Sequence, residues 1–225
     1  MKNSLTIGLA ALAILLVGTV GVARADLLFD FEGSVQNWYR FGGGTLDFGL
    51  AEGQGSQGAG PDGIFYVTNL NYTLYGGAVR SPNQSTWPGG QRLTDYTGFS
   101  ADVQLSVDGL DPAYPGPGPN VELMLQLPGY LEFAKIVSIP ADGNYYTISS
   151  DFADLVPQNL ATEPITQAQL GADNLQIRVL LRNLNRVEGD PSGKIRLRVD
   201  NIQAIPEPAS LMLLGLGALA LVRRR

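Results

Sequence analysis

Short stretches in which apolar and polar residues alternate run through most of this chain, and they restrict its fold more than any other feature. In the clearest stretch every second residue is apolar: Phe99, Ala101, Val103, Leu105 and Val107. Alternation with a period of two is typical of a β-strand with one buried face. About ten such stretches, separated by turn residues and without a βαβ pattern, predict an all-β fold, an antiparallel β-sandwich.

One short helix is predicted among the strands. Thr166 and Gln169 have the spacing of a capping box, and Gly171 can end the helix after a single turn. A second local signal is Asp142-Gly143, which predicts a hairpin turn before the strand that follows it.

The first 25 residues have the pattern of a secretory signal peptide. Lys2 supplies a positive charge, residues 5–22 are apolar, and Ala23-Arg24-Ala25 has the small-x-small form of a signal peptidase site. We therefore predict export by the general secretory route and cleavage after Ala25 by signal peptidase. An uncleaved membrane anchor is the alternative.

The C-terminal segment, residues 205–225, has three parts in order: a stiff proline turn, an apolar span at residues 209–222 and a cluster of arginines. A bilayer core needs about 20 apolar residues, so this span crosses it only with local thinning and with arginines that reach the interface. The positive-inside rule then places the arginines in the cytoplasm and the rest of the chain outside. A buried C-terminal core helix is the alternative. The turn is Pro206, Glu207 and Pro208, and the cluster is Arg223, Arg224 and Arg225.

This tripartite segment resembles the PEP-CTERM sorting signal of Gram-negative bacteria. The resemblance implies that an exosortase, a membrane-embedded cysteine protease, cuts near the Pro-Glu-Pro turn. It further implies a hydrophobic sorting helix that anchors the protein transiently in the inner membrane, before the body reaches the cell surface or the extracellular matrix. The chain then divides into a signal peptide at residues 1–25, a β-sandwich domain at residues 26–204 and a sorting signal at residues 205–225.

Composition excludes several classes of function. The chain has no cysteine and no histidine, which excludes disulfides, Ser-His-Asp or Cys-His catalysis and every histidine-based metal site. Without the basic residues of its two ends, the body has ten basic against 21 acidic residues, a net charge of −11. Such a charge argues against nucleic acid as a partner.

The body resembles the galactose-binding-like jelly roll of carbohydrate-binding modules and of laminin IV-type domains. The resemblance implies a jelly roll with Trp38 in its core and with the first and last strands side by side. It also implies a structural calcium where those strands meet. The segments that carry it are residues 29–32 with Trp38, residues 145–149, residues 170–179 and residues 199–202.

Asp30, Glu32 and Asp200 are the positions that match the calcium ligands of that family. Calcium takes six to eight oxygens, so backbone carbonyls have to complete the set. The alternative is that these carboxylates only face solvent beside Arg196 and Arg198.

Aromatic residues in or near loops are candidates for stacking on sugar rings. We expect Trp87 to be the main platform, because the proline and two glycines after it leave the backbone open, and we add Tyr72 and Tyr75. For each of them, partial burial against the sandwich is the alternative. Further aromatic residues of this kind are Tyr96, Tyr114 and Tyr130.

No motif indicates catalysis. A chain with 21 acidic residues contains carboxylate pairs by chance, and it has no nucleophile elbow or phosphate loop. We therefore expect a non-enzymatic exported protein that binds or organises exopolysaccharide. Two alternatives remain open: a structural or adhesive matrix protein without a sugar site, and a polysaccharide-processing enzyme.

Overall fold

The computed structural model describes residues 26–41, 45–52, 55–56, 62–69, 77–108, 120–182 and 194–207. Within these ranges the chain forms two six-stranded antiparallel sheets and one short α-helix, which confirms the predicted all-β class. The strands are β1 (Asp26–Phe29), β2 (Tyr39–Phe41), β3 (Thr45–Ala51), β4 (Gly63–Asn69), β5 (Gly77–Arg80), β6 (Tyr96–Asp108), β7 (Asn120–Leu127), β8 (Leu131–Ser138), β9 (Asp142–Asp151), β10 (Val156–Asn159), β11 (Gln176–Arg182) and β12 (Lys194–Pro206). The helix is α1 (Gln167–Leu170), and 3₁₀ turns lie at Gln84–Thr86, Pro88–Gly90, Leu93–Asp95 and Phe152–Asp154.

Strand β12 is the centre of the first sheet, sheet A, whose order is β3-β4-β12-β6-β9 with β1 also paired to β12. Along one edge β12 pairs with β6. Along the other edge its first half pairs with β4 and its second half with β1. Asp26 stands opposite Ala204, so the predicted pairing of the first and last strands is confirmed.

The second sheet, sheet B, has the order β10-β8-β7-β11-β5-β2. The prediction of a hairpin at Asp142-Gly143 is wrong, because β8 belongs to sheet B and β9 to sheet A. The chain crosses between the sheets there, and both residues lie in the start of β9. Gly143 has a φ of 79° close to an irregularity in the pairing of β9 with β6, a conformation that glycine adopts without strain.

The core lies between the sheets and is built from the inward-facing residue of each alternating pair. On β7, for example, Val121, Leu123 and Leu125 are fully buried in it. Each fully buried side chain of this size contributes roughly 1.5–3 kcal/mol relative to an exposed one. Trp38 is 2% exposed and its ring meets that of Phe29 edge to face at 5.3 Å, which confirms the predicted core tryptophan.

The predicted capping box is confirmed at helix α1. The hydroxyl of Thr166 accepts a hydrogen bond from the Gln169 N–H at 3.3 Å, and the Gln169 side chain accepts one from the Thr166 N–H at 2.8 Å.

The buried amide of Gln84 fixes the loop between β5 and β6 against helix α1, because it donates to the Leu170 carbonyl at 2.8 Å and accepts from the Leu93 N–H at 2.9 Å. The loop from residue 81 to residue 95 is therefore built into the sandwich.

Candidate functional site

Trp87 is not an exposed platform, and that prediction is wrong. Its side chain is 3% exposed and lies in the hydrophobic core, with its ring edge to face against Phe29 at 5.7 Å. The indole N–H donates to the Pro82 carbonyl at 2.9 Å, so the one polar atom of the ring is satisfied. The other two predicted platforms, Tyr72 and Tyr75, lie outside the described residues.

The three predicted calcium ligands belong to two hydrogen-bonded groups. Asp30 accepts from the Gln36 side chain at 2.5 Å and from the Glu32 N–H at 3.2 Å, close to the end of β1. Asp200 is 1% exposed and accepts instead from Ser56. Among the residues that the structure describes, no three Asp, Glu, His or Cys side chains form a group that could hold a metal ion. A calcium ion held by fewer carboxylates and by carbonyls stays a prediction.

Asp200 stands directly opposite Asp102 on the outer face of sheet A. Ser56 joins the two carboxylates, because its hydroxyl lies 2.7 Å from Asp102 Oδ2 and 3.0 Å from Asp200 Oδ2. The Asn201 amide donates to Asp102 as well, at 3.1 Å. Burial raises the pKa of Asp200, and the charge of Asp102 raises it further.

A second group of buried charges lies on the outer face of sheet B. Arg178 on β11 and Glu132 on β8 form an ion pair at 2.6 Å, with side chains only 5% and 4% exposed. Glu132 also accepts from the side chains of Gln126 and Asn159. Beside the pair lies a small apolar cluster that is separate from the main core: Ala78, Met124, Ala134 and Leu180, with Phe41 packed against it.

Two arginines and two aromatic rings form a stack on the same face. Arg80 and Arg178 stand opposite each other on β5 and β11. The Arg80 guanidinium lies 4.4 Å from the centroid of the Tyr39 ring and 4.5 Å from that of Phe41, and the Arg178 guanidinium lies 4.4 Å from that of Phe41. Stacking on π faces holds both planar groups in fixed orientations.

Next to this stack is a depression of about 410 Å³, which we call groove B. Its volume is in the range of small-ligand sites. Carboxamides predominate among its polar side chains, and Gln176 donates to the Tyr39 hydroxyl at 2.9 Å and to the Asn83 carboxamide oxygen at 3.0 Å. Groove B is lined by Phe41, Arg80, Asn83, Gln126, Leu127, Pro128, Gly129, Tyr130, Asn174 and Gln176.

Tyr130 is the exposed aromatic residue of groove B. It lies in the turn between β7 and β8, and 62% of it is exposed. Its φ of 62° is in the left-handed region, which is unusual for a bulky residue and costs of order 1–2 kcal/mol. The sequence indicated Tyr130 as one of several loop aromatics, but it gave no signal that this tyrosine, rather than Trp87, would be exposed.

A second depression, groove A, of about 420 Å³, lies on sheet A. Its charged residues are two arginines and two carboxylates, a set whose charges balance. Phe65 is one of its lining residues, and the Arg196 guanidinium lies 5.8 Å from the centroid of the Phe65 ring. Groove A is lined by Asp47, Leu50, Ala51, Glu52, Phe65, Arg196 and Arg198.

The end of the sandwich leads directly into a segment that matches a known family. The family described as PEP-CTERM protein-sorting motif matches residues 204–225. These residues are a PEP-CTERM sorting motif. The motif indicates an exported protein that an exosortase processes for the cell surface or the extracellular space.

The structure describes only the start of this PEP-CTERM motif. Pro206 is the last residue of β12 and Glu207 follows it, so the strand continues two residues beyond the domain boundary expected at residue 204. No helix among the described residues is long and apolar enough to cross a membrane. Outside the described residues lie the predicted sorting helix and the signal peptide, with Pro208, Arg223, Arg224, Arg225, Ala23 and Ala25.

The sandwich ahead of the PEP-CTERM motif is similar to several solved structures. An exo-β-agarase matches with a TM-score of 0.51 and 13% identity, over 81% of this chain and 26% of its own. The family 11 carbohydrate-binding module of a Clostridium thermocellum cellulosomal cellulase matches with a TM-score of 0.49 and 14% identity, over 83% of this chain and 96% of its own. The CBM22-2 xylan-binding domain of Paenibacillus barcinonensis matches with a TM-score of 0.39 and 13% identity, over 78% of this chain and 97% of its own. At these identities the likeness concerns the fold alone. A search of curated protein sequences finds no match.

Proposed function

We propose that this exported protein binds polysaccharide at groove B and works as a non-catalytic binding protein of the cell surface or matrix. The observation that carries the proposal is the lining of groove B. It combines the carboxamides of Asn83, Gln126, Asn174 and Gln176 with the exposed ring of Tyr130. Carboxamides donate to and accept from sugar hydroxyls, and an aromatic face packs on the apolar face of a sugar ring.

The network behind groove B supports its use as a preformed site. Gln176 is held by Tyr39 and Asn83, and Gln126 donates to Glu132 at 3.1 Å. The other amide atom of Gln126, Oε1, is buried and has no hydrogen-bond partner among the described residues. An unsatisfied buried acceptor costs about 1–3 kcal/mol, so the fold holds the Gln126 side chain in this position at an energetic cost.

A binding role fits groove B better than catalysis. A glycosidase places two carboxylates on either side of the scissile bond. The described residues that line groove B include no aspartate or glutamate. Glu132, a buried carboxylate of this face, pairs with Arg178 and accepts hydrogen bonds from two amides.

Affinity electrophoresis of the exported protein, purified from its host, through gels that contain the host's exopolysaccharide tests the proposal. We expect retardation that becomes about tenfold weaker in Tyr130→Ala and in Gln176→Ala, equivalent to about 1.4 kcal/mol each. Val156→Ala and Gln158→Ala, which lie on the same sheet outside groove B, are the matched controls and should bind normally.

Two results would count against the proposal. Full retardation of both groove variants would show that the binding site lies outside groove B. Absence of retardation in the unmodified protein would favour the alternative of a structural or adhesive matrix protein without a sugar site.

A further inference from the structure

We propose that groove B selects polysaccharides that carry carboxylate groups, such as those built from uronic acids, and that Arg80 binds the carboxylate. This inference rests on the proposed function, because it names the class of sugar that the same groove takes. It starts from the charge of the groove: Arg80 is the single charged residue among the described residues that line it. The described lining of groove B thus carries one positive and no negative side chain, on a body with ten basic and 21 acidic residues.

The two arginines of the stack differ in how their charges are balanced. Arg178 is paired with Glu132 at 2.6 Å, and neither residue lines the groove. Arg80 makes no ion pair with any described residue, although it stands directly opposite Arg178. Like charges that face each other across a sheet destabilise it, so an anionic ligand beside Arg80 would relieve an unfavourable interaction.

The orientation of Arg80 suits a carboxylate. The Tyr39 and Phe41 rings lie within 4.5 Å of its guanidinium and hold the plane of the group. A planar guanidinium with a fixed orientation matches the two oxygens of a carboxylate, and such charge-assisted bonds are about twice as strong as neutral ones. Gln176 and Asn83, which line the groove together with Arg80, then face the hydroxyls of the same or the next sugar.

The net charge of the body argues against nonspecific attraction as the source of this selectivity. A body with an excess of acidic residues repels a polyanion at long range, so nonspecific attraction does not produce the expected preference. Preference for an acidic over a neutral polysaccharide therefore has to come from a local positive site.

Polygalacturonate and its fully methyl-esterified form provide a test in which only the charge of the sugar changes. We expect the exported protein to be retarded at least tenfold more strongly by the acid than by the ester, and the difference should shrink as salt is added. In Arg80→Gln the difference should disappear. Arg40→Gln, which removes the same charge from an exposed position on β2, should leave it unchanged.

A second comparison uses the host exopolysaccharide before and after chemical reduction of its carboxyl groups. It distinguishes failure of this inference from failure of the proposed function. Loss of retardation on reduction supports carboxylate selection. Equal retardation by both forms, or by polygalacturonate and its ester, overturns carboxylate selection and leaves polysaccharide binding in place. No retardation by the untreated exopolysaccharide overturns both. The polysaccharide comparisons need no protein variant, so they hold even where Arg80→Gln fails to fold.

Discussion

The hydroxyl of Tyr96 donates to Asp26 Oδ2 at 2.7 Å, which joins the start of β1 to the start of β6. Asp26 is the residue expected to begin the exported protein, and it stands opposite Ala204 on β12. Tyr96 itself pairs with Pro206, inside the sorting motif. The two ends of the body, each expected to meet a membrane protease, therefore lie side by side at one end of sheet A.

The Tyr96–Asp26 contact predicts a change in stability at alkaline pH. Burial, followed by the hydrogen bond to Asp26 and the charges of Asp26 and Asp95, raises the pKa of Tyr96 from 10.0 to about 12. The folded protein thus holds this proton more tightly than the unfolded chain, and the free energy of unfolding falls as pH rises from about 10 to about 12. Urea unfolding at several pH values should show a smaller fall in Tyr96→Phe. An identical fall in both proteins would contradict the prediction.

Thr97 holds the last residues of β12. Its hydroxyl is shared between the carbonyls of Ile205 at 3.2 Å and Pro206 at 3.4 Å. A hydrogen bond of this kind contributes about 1 kcal/mol, so Thr97→Val should speed amide exchange at Ile205 about fivefold. Exchange at Leu197, in the middle of the same strand, should not change. Equal protection of Ile205 in both proteins would show that the Thr97 hydroxyl does not hold the strand end.

The alternation of apolar and polar residues was sufficient to predict the class of fold. It identified β6, β7, β11 and β12, because the described side chains on one face of each strand are buried in the core. The capping box of α1 was also predictable, because it depends only on two residues that are three positions apart in the sequence. The crossing between the sheets at Asp142-Gly143 could not be predicted, because the sequence there does not reveal that the next strand belongs to the other sheet.

The candidate site was much less predictable than the fold. Glu132, Arg178 and Gln126 occupy polar positions of alternating strands, a pattern typical of a solvent-exposed face. Their burial depends on cross-strand neighbours that are distant in sequence, such as Arg178 and Glu132, 46 residues apart. Trp87 was misplaced because flanking glycines suggest an open loop, whereas its burial follows from contact with Phe29.

Asp200 predicts a loss of stability as pH rises above about 4, where the carboxyl groups of an unfolded chain ionise. Its pKa is raised above the ordinary 3.8, by burial first and then by the Asp102 charge. The folded state therefore binds a proton more readily than the unfolded chain, and the free energy of unfolding falls as pH rises from about 4 through the folded-state pKa. In Asp102→Asn this fall should be smaller, because the like charge is gone. Carboxyl ¹³C NMR titration measures the pKa of Asp200 in both proteins. An unchanged pKa of Asp200 in Asp102→Asn would contradict the prediction.

The ion pair between Arg178 and Glu132 predicts strong coupling between two substitutions. Glu132→Gln removes the carboxylate that pairs with the buried Arg178 guanidinium and should lower the free energy of unfolding by about 3–5 kcal/mol. The double variant Glu132→Leu, Arg178→Met replaces both groups with apolar ones of similar size. It should be more stable than Glu132→Gln. Chemical denaturation of the three proteins measures this, and a double variant less stable than the single one would contradict it.

Tyr130 predicts a conflict between stability and binding. Its φ of 62° costs a non-glycine residue about 1–2 kcal/mol, whereas glycine adopts that conformation without strain but loses more entropy on folding. Tyr130→Gly should therefore raise the free energy of unfolding by about 0.5–1 kcal/mol, and it should weaken exopolysaccharide binding at groove B because the exposed ring is lost.

The neighbouring residue provides the matched control for Tyr130→Gly. Gly129 has a φ of 77°, and a Cβ added to it would meet no atom within 4 Å, so Gly129→Ala changes the backbone energy and little else. We expect Gly129→Ala to lower stability by about 1 kcal/mol and to leave the Tyr130 ring in place. Urea unfolding gives the two stabilities, and affinity electrophoresis gives the two affinities. A Tyr130→Gly variant that is less stable than the unmodified protein would show that the ring of Tyr130 contributes to the fold rather than being retained for binding.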